Sequence, residues 1–335
     1  MIGSHESQSS PVAMLAPEEL EEHRGPLIGY SYRMLGSVTE AEDAVQETML
    51  RAWRAWDGFE GRASRRTWLY RIATNVCLDM LKARQRRARP MEIGPAWYID
   101  GPLGDPGTGE RWIEPIPDSM LAGRGDPADV AVTRETIRLA FIAALQHLPP
   151  RQRAILILRE VLGWSAAEVA GLLDTTVVSV NSALQRARTT LSEADLADSD
   201  PHMPMDPAQQ DLLDRYLEAF EHYDLDSFVS LLHEDVTQSM PPYEMWLEGP
   251  DRVRAWMIGP GIGCRGSLLF PTVANGLPAF GQYRPDPDGG YHPWALHVLE
   301  ISGGVVVGLN YFLDTETLFP RFGMPARLDE SGGAG

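Results

Sequence analysis

The 335-residue sequence predicts a multidomain chain in which two all-α modules precede one α+β module. Three observations carry this. Apolar residues recur at three- and four-residue steps over 19–89 and again over 128–196, the spacing of one helix face. Two stretches that no long regular element tolerates interrupt the pattern: a proline- and glycine-rich segment at 90–127 and the polar "ADSDPHMPMDP" at 197–207. Beyond residue 206 one helical segment gives way to runs of strand-forming residues. The length exceeds that of one typical domain, so each module is long enough to bury its own core.

In the first module, "TEAEDAVQETMLRAW" places Thr39 as an N-cap with Glu42 three residues on, a capping-box arrangement. Ala41, Val45, Met49, Ala52 and Trp56 then form an apolar stripe, and Asp43, Gln46, Glu47 and Arg51 occupy the opposite face. After the loop "GFEGRASRR" a second helix is predicted over 67–89, with Trp68, Ile72, Val76 and Met80 on one face. Arginines gather at its C-terminal end, where the helix dipole favours cations.

The break at 90–127 holds seven prolines and seven glycines and carries seven acidic residues against Arg111 and Arg124. It reads as an acidic linker. Helix resumes at 128–196. Within "LPPRQRAILILREVLGWSAAEVAGLLDTTVVSVNSALQRARTTL" the pattern divides at "GWS" and "DTT". Ser165 and Glu168 form a capping box for a short helix ending near Asp174. Val177, Val180, Leu184, Ala187 and Leu191 line the inner side of the next, giving helix, tight turn, helix. After the second break, Asp206 and Pro207 read as N-cap and first-turn proline of a helix running to about Tyr223. "WALHVLEI" and "VVVGLNYFL", joined by "SGG", read as a hairpin within a largely antiparallel sheet spanning 206–326.

Charge sharpens the division. The chain carries −18 overall, of which residues 201–335 account for −12, nineteen acidic residues against seven arginines. Residues 51–90 run the other way, with eleven basic residues against three acidic ones. Nucleic-acid binding follows this local field and not the whole-chain balance. No run is long enough to span a membrane and the N-terminus lacks a signal-peptide pattern, so the chain reads as cytoplasmic. Cys77 and Cys264 fall in different modules without a metal-binding spacing, so neither a zinc site, nor a disulfide framework, nor any cofactor is indicated.

"DAVQETMLRAW", "FEGRASRRTWLYRIATNVCLDML" and "LPPRQRAILILREVLGWSAAEVAGLL" resemble, in order, regions 2 and 4 of the extracytoplasmic-function sigma factors of bacterial RNA polymerase. The tail, from "LLDRYLEAFEHYDLDSFVSLL" onward, resembles the SnoaL-like branch of the cone-shaped NTF2-like fold. The resemblance implies two all-α sigma domains, a region 2 helical bundle at 19–89 and a region 4 helix-turn-helix at 128–196, plus an α+β cone at 206–326. It implies that Asp43, Gln46, Glu47 and Arg51 dock on core RNA polymerase. The −10 promoter element would be melted and held by Arg62, Arg65, Arg66, Trp68 and Asn75, with Lys82 and Arg86 tracking its backbone. Holding an unstacked strand needs cations for phosphates and planar or polar groups for bases. Trp68 also lies on the apolar stripe, and core packing is the stronger expectation for it.

The helix at 177–191 would enter the major groove of the −35 element, presenting Ser179, Asn181, Ser182, Gln185, Arg186 and Arg188. Amides and arginine pair with base edges, whereas hydroxyls position on phosphate. Asn181 and Ala183 stand where the family often has basic residues. The acidic linker would lie in the path of nascent RNA. For the cone, His233, Asp235, Glu244 and His297 are candidate pocket residues for a small-molecule ligand or acid/base chemistry, though a histidine on a strand face is more often structural. "PDPDGGYHPW" is similar to an Asp-Gly-Gly loop of tailed sigma factors and equally an ordinary hairpin turn.

The reading is a promoter-recognition subunit, not an enzyme, whose tail regulates it. A stand-alone helix-turn-helix regulator is the alternative, which leaves the first module without purpose; a cone-fold cyclase or isomerase tethered to DNA-binding helices is a third. The acidic tail is expected to contact the basic surfaces of the two helical modules and to release them as salt rises.

Overall fold

Ser37, two residues before the expected Thr39, opens the first long helix: its side chain accepts a hydrogen bond from Glu40 N at 3.1 Å, and Val38–Arg54 follows. The protein is described by a computed structural model covering residues 20–59, 61, 63–82, 85–98, 101, 103–107, 109–121, 135–192, 200, 206–329 and 332–333. The region 2 module contains α1 (Arg24–Leu35), α2 (Val38–Arg54) and α3 (Arg65–Met80). Ala41, Val45 and Ala52 of the expected stripe are fully buried. In α3 the buried face is Leu69, Tyr70, Ala73, Val76 and Cys77, so Trp68, Ile72 and Met80 sit at its edge.

The expectation that α3 continues to 89 fails, because the helix ends at Met80. Beyond it, the side chains of Arg86, Arg87 and Arg89 reach carboxylates elsewhere in the fold. The segment after 90 also differs from a loose spacer. Its described parts form short turns at Pro90–Glu92, Gly109–Arg111 and Asp118–Met120. Between them Trp112, Ile113 and Ile116 are buried. Proline and glycine exclude long helices and strands here without preventing apolar residues from packing.

The region 4 module contains α4 (Leu139–Gln146), α5 (Pro150–Leu156), which runs on as a π-helical turn to Val161, α6 (Ala166–Leu172) and α7 (Val177–Ser192). Both bonds of the predicted capping box are present: Glu168 N donates to Ser165 Oγ at 3.2 Å, and Ser165 N to Glu168 Oε2 at 2.7 Å. Val180, Leu184 and Ala187 of α7 are buried as expected, whereas Val177 is 42% exposed.

The tail opens with α8 (Pro207–Glu221), capped by Asp206, which accepts from Ala208 N at 3.0 Å. Then come α9 (Leu225–Ser230), β1 (Leu232–Ser239), β2 (Trp246–Glu248), α10 (Pro250–Ile258), β3 (Leu268–Ala274), β4 (Leu277–Pro285), β5 (Tyr291–Ser302), β6 (Val305–Phe312) and α11 (Thr315–Arg321). The sheet order is β2-β1-β6-β5-β4-β3, antiparallel except for β1 against β6. Side chains alternate across it with period two. Phe280, Leu299 and Leu309 face the cone interior with Tyr216, Phe220, Phe228 and Trp256. Ala279, Leu296 and Val298 face outward with Phe319 of α11, in one apolar core shared with Leu27, Leu69, Ile116, Leu145 and Leu172. The outer face of the sheet is thus buried against the rest of the chain.

Candidate functional site

On α2, Asp43, Gln46 and Arg51 are exposed and Glu47 half-buried, with Glu47 and Arg51 paired at 2.7 Å across one helical turn. Beside them stand Leu50, 40% exposed, and Trp53, 69% exposed. The sequence expectation left out these two, although Leu50 lies one turn beyond Gln46 and Trp53 two residues beyond Arg51. The result is a face that mixes apolar and charged side chains.

Of the residues expected at the −10 element, Arg65, Arg66, Trp68 and Asn75 lie on α3 and Lys82 and Arg86 beyond its end, while Arg62 is outside the described residues. Arg65 lies over the Trp56 ring at 5.4 Å. Trp68 is half-buried and packs against Phe59 (centroids 4.9 Å) and Trp56 (6.0 Å), an aromatic cluster at the head of the helix. Asn75 is exposed, and Lys82 pairs with Asp79 at 2.7 Å. Arg66 stacks on Tyr70 and on Trp164 of the region 4 module, at 5.7 and 5.5 Å. Arg71 donates to the Gly171 carbonyl and faces Asp174 at 3.7 Å. One side of α3 is therefore covered by α6.

The arginines after α3 have other partners. Arg86 lies against the His147 ring and 4.0 Å from Glu92. Arg87 is buried; it pairs with Glu40 at 3.1 Å and Glu114 at 3.8 Å and donates to the Trp112 carbonyl. Arg89 reaches Glu300 of β5 at 3.1 Å.

On α7, Ser179, Asn181, Ser182, Gln185, Arg186 and Arg188 are all exposed. Thr176 Oγ1 accepts from Ser179 N at 3.1 Å, capping the helix. Arg188 pairs with Glu160 at 2.7 Å. This face is open to solvent and carries amide and guanidinium groups suited to base edges.

The four cone candidates do not converge. His233 and Asp235 are neighbours on β1, 3.9 Å apart and open to solvent; with Glu234 their ligand atoms lie within 4.8 Å. Glu244 pairs with Arg111 of the linker. Only His297 lies inside the cone, where Nδ1 is 3.1 Å from Tyr216 Oη and Nε2 is 2.9 Å from Gln282 Oε1. Burial lowers its pKa to about 3, so the ring is neutral. "PDPDGGYHPW" is a hairpin turn: Gly289 N donates to the Asp286 carbonyl at 3.0 Å, and Asp286 pairs with Arg327 at 3.0 Å.

Sequence reasoning also missed the junction of the three modules. Asn275, at the β3–β4 turn, has φ +55° and is fully buried. Its Nδ2 donates to Tyr32 Oη at 2.7 Å and to the Ile137 carbonyl at 2.6 Å, and its Oδ1 accepts from Ile116 N at 3.0 Å. Its own N–H donates to the Ile116 carbonyl at 3.0 Å. One side chain thus ties the tail to α1, the linker and the entry to α4. The available signal was Asn-Gly between two apolar runs, a hairpin turn in which Asn tolerates positive φ. Nearby, Arg33 donates to Thr136 Oγ1 at 2.7 Å, and Arg153 of α5 donates to the Met34 carbonyl. Burial lowers the pKa of each guanidinium to about 10.

The tail contact has the expected polarity at some pairs and the reverse at another. Arg89 to Glu300 has acid on the tail, but Arg321 of α11 pairs with Glu42 of α2 at 2.7 Å, the reverse arrangement. Glu244 with Arg111 again has acid on the tail, but the neutral hydrogen bonds of Asn275 and the shared apolar core lie beside these pairs, so charge is not the whole of the contact.

A helix-turn-helix with an open polar face, a second helical module with a basic, aromatic surface, and a cone packed on both define a modular transcription protein. Residues 20–87 match the model of sigma-70 region 2, 138–191 that of sigma-70 region 4, and 213–307 that of the SnoaL-like domain. Over 318 residues the chain is 44% identical to the ECF RNA polymerase sigma factor SigG of Mycobacterium tuberculosis, covering 92% of this chain and 83% of that one. SigJ of the same organism is 30% identical over 296 residues, covering 85% and 86%. The crystal structure of SigJ is similar, with TM-score 0.58 and 26% identity, covering 93% of this chain and 100% of that one. The chain belongs to the extracytoplasmic-function family of RNA polymerase sigma factors. No helix among the described residues is long and apolar enough to cross a membrane.

Proposed function

We propose that this chain binds core RNA polymerase in the cytoplasm through the outer face of α2 and directs it to promoters, with α3 engaging the −10 element and α7 the −35 element. The tail acts as a built-in regulator that holds the first two modules together until polymerase separates them. The observation that carries this reading is the packing of α3 on α6, with Arg66 of the expected −10 surface turned onto Trp164 and its neighbour Arg71 onto Gly171. Packed helices lie about 8–10 Å apart. Because α6 also packs on α7, the two reading helices are separated by only two such steps. Elements at −10 and −35 are roughly 80 Å apart at about 3.4 Å per base pair. Binding both requires the packed form to open, and Asn275 spans the seam.

Run-off transcription with core polymerase tests this. Asn275→Ala in the full chain should raise product when core is limiting, and a chain ending near residue 200 should differ from full length in the same assay. Reversing charge at Asp43 and Glu47 should weaken core binding at unchanged helical content. Wild-type output from Asn275→Ala would leave the tail without a restraining role.

A further inference from the structure

We propose that Val178 reads the methyl group of a thymine in the −35 element. This rests on the reading of α7 as the helix that enters the major groove. Val178 is 75% exposed, more than any other large apolar side chain among the described residues, and it sits in the first turn of α7. At about 100° per residue it points away from the buried stripe of Val180, Ala183, Leu184 and Ala187. Its outward companions are Asn181, Ser182 and Gln185, so it stands in the middle of the polar face and not at its border. Thr176 caps the helix start and fixes this turn.

A β-branched aliphatic side chain open to water in a helix gains nothing from propensity or burial. Its neighbours point to the surface that covers it. Amides on either side and Arg186 beyond suit base edges and phosphates, and the first turn of a recognition helix is the part that meets bases. On the major-groove edge the apolar feature is the C5-methyl of thymine. The occupant we assign is therefore a thymine methyl, flanked by bases that the amides read.

The test uses polymerase holoenzyme carrying the full chain. A promoter pool randomised across the −35 window yields the preferred site; each thymine in it, on either strand, is then replaced in turn by deoxyuridine, which lacks only the methyl. At one position the wild-type holoenzyme should lose about fourfold in promoter affinity, the effect of one buried methyl. Val178→Ala should bind the methylated site about fourfold more weakly and show no further loss with deoxyuridine there. Alanine is the better helix former, so a loss of fold does not explain the change. Equal deoxyuridine losses in both proteins, or a selected site indifferent to every thymine methyl, would overturn the assignment. Weaker binding of Val178→Ala to core polymerase alone would overturn it too and mark the residue as a protein contact. If no sequence is selected in the window, the parent reading of α7 fails and this inference falls with it.

Discussion

Two arginine tracts that look alike in sequence, "RQRRAR" at 84–89 and "QRAR" at 185–188, end up in opposite circumstances. In the second, Arg186 and Arg188 stand on the open face of α7. In the first, Arg87 is buried between Glu40 and Glu114, and Arg89 pairs with Glu300. A charge run does not decide its own fate. Acids far along the chain claimed the first tract for packing, while among the described residues the second pairs with Glu160 at the surface. One tract holds the chain together; the other remains available to an outside anion.

The largest expected effect breaks that contrast directly. Arg87→Ala leaves two carboxylates without their buried partner and should cost about 3–5 kcal/mol in urea unfolding. Arg186→Ala should stay within about 0.5 kcal/mol of wild type while weakening promoter binding in a mobility-shift assay. Equal stability losses would erase the distinction. Next, Asn275→Ala strips partners from Ile116 N and the Ile137 carbonyl and should cost about 2–3 kcal/mol at the seam, with a larger radius of gyration by small-angle scattering. An unchanged radius would mean the seam holds without it.

The cone interior offers a pH test. The pKa of His297 is about 3 in the folded chain, against about 6.5 when unfolded. Between those values the unfolded chain binds a proton that the folded chain refuses, so stability falls as pH drops below about 6.5 and levels off below about 3. From pH 7 to 5 the loss should be about 2 kcal/mol, and His297→Gln should flatten the urea midpoint over that window. The smallest effect belongs to the half-exposed pair at the tail: Arg321→Ala should cost no more than about 1 kcal/mol, and less in high salt.

Local signals were well read. The Ser165 and Glu168 box, the Asp206 cap and the β5–β6 hairpin each rest on residues a few positions apart, and each formed as expected. Helix ends were less legible: α3 stops at Met80, and Arg87 and Arg89 further on reach Trp112 and Glu300, partners that no window of sequence contains. The face of α7 was legible from periodicity, since its buried stripe fixes what points outward, and the same periodicity places Val178 on that outer face. Least legible was the seam at Asn275, whose partners lie 138 to 243 residues away. The acidity of the tail suggested contact with the helical modules, but charge totals carry no information on which pairs are buried.

The central claim is that the modules pack together in the free chain and separate on the promoter. Spin labels on cysteines introduced at Asp79 of α3 and Ser192 of α7, both exposed, measure it by pulsed electron resonance, since native Cys77 and Cys264 are buried. One short-distance population is expected in the free chain, with a lengthening of about 30 Å or more once core polymerase and promoter are added. The same distance distribution in both states would contradict it.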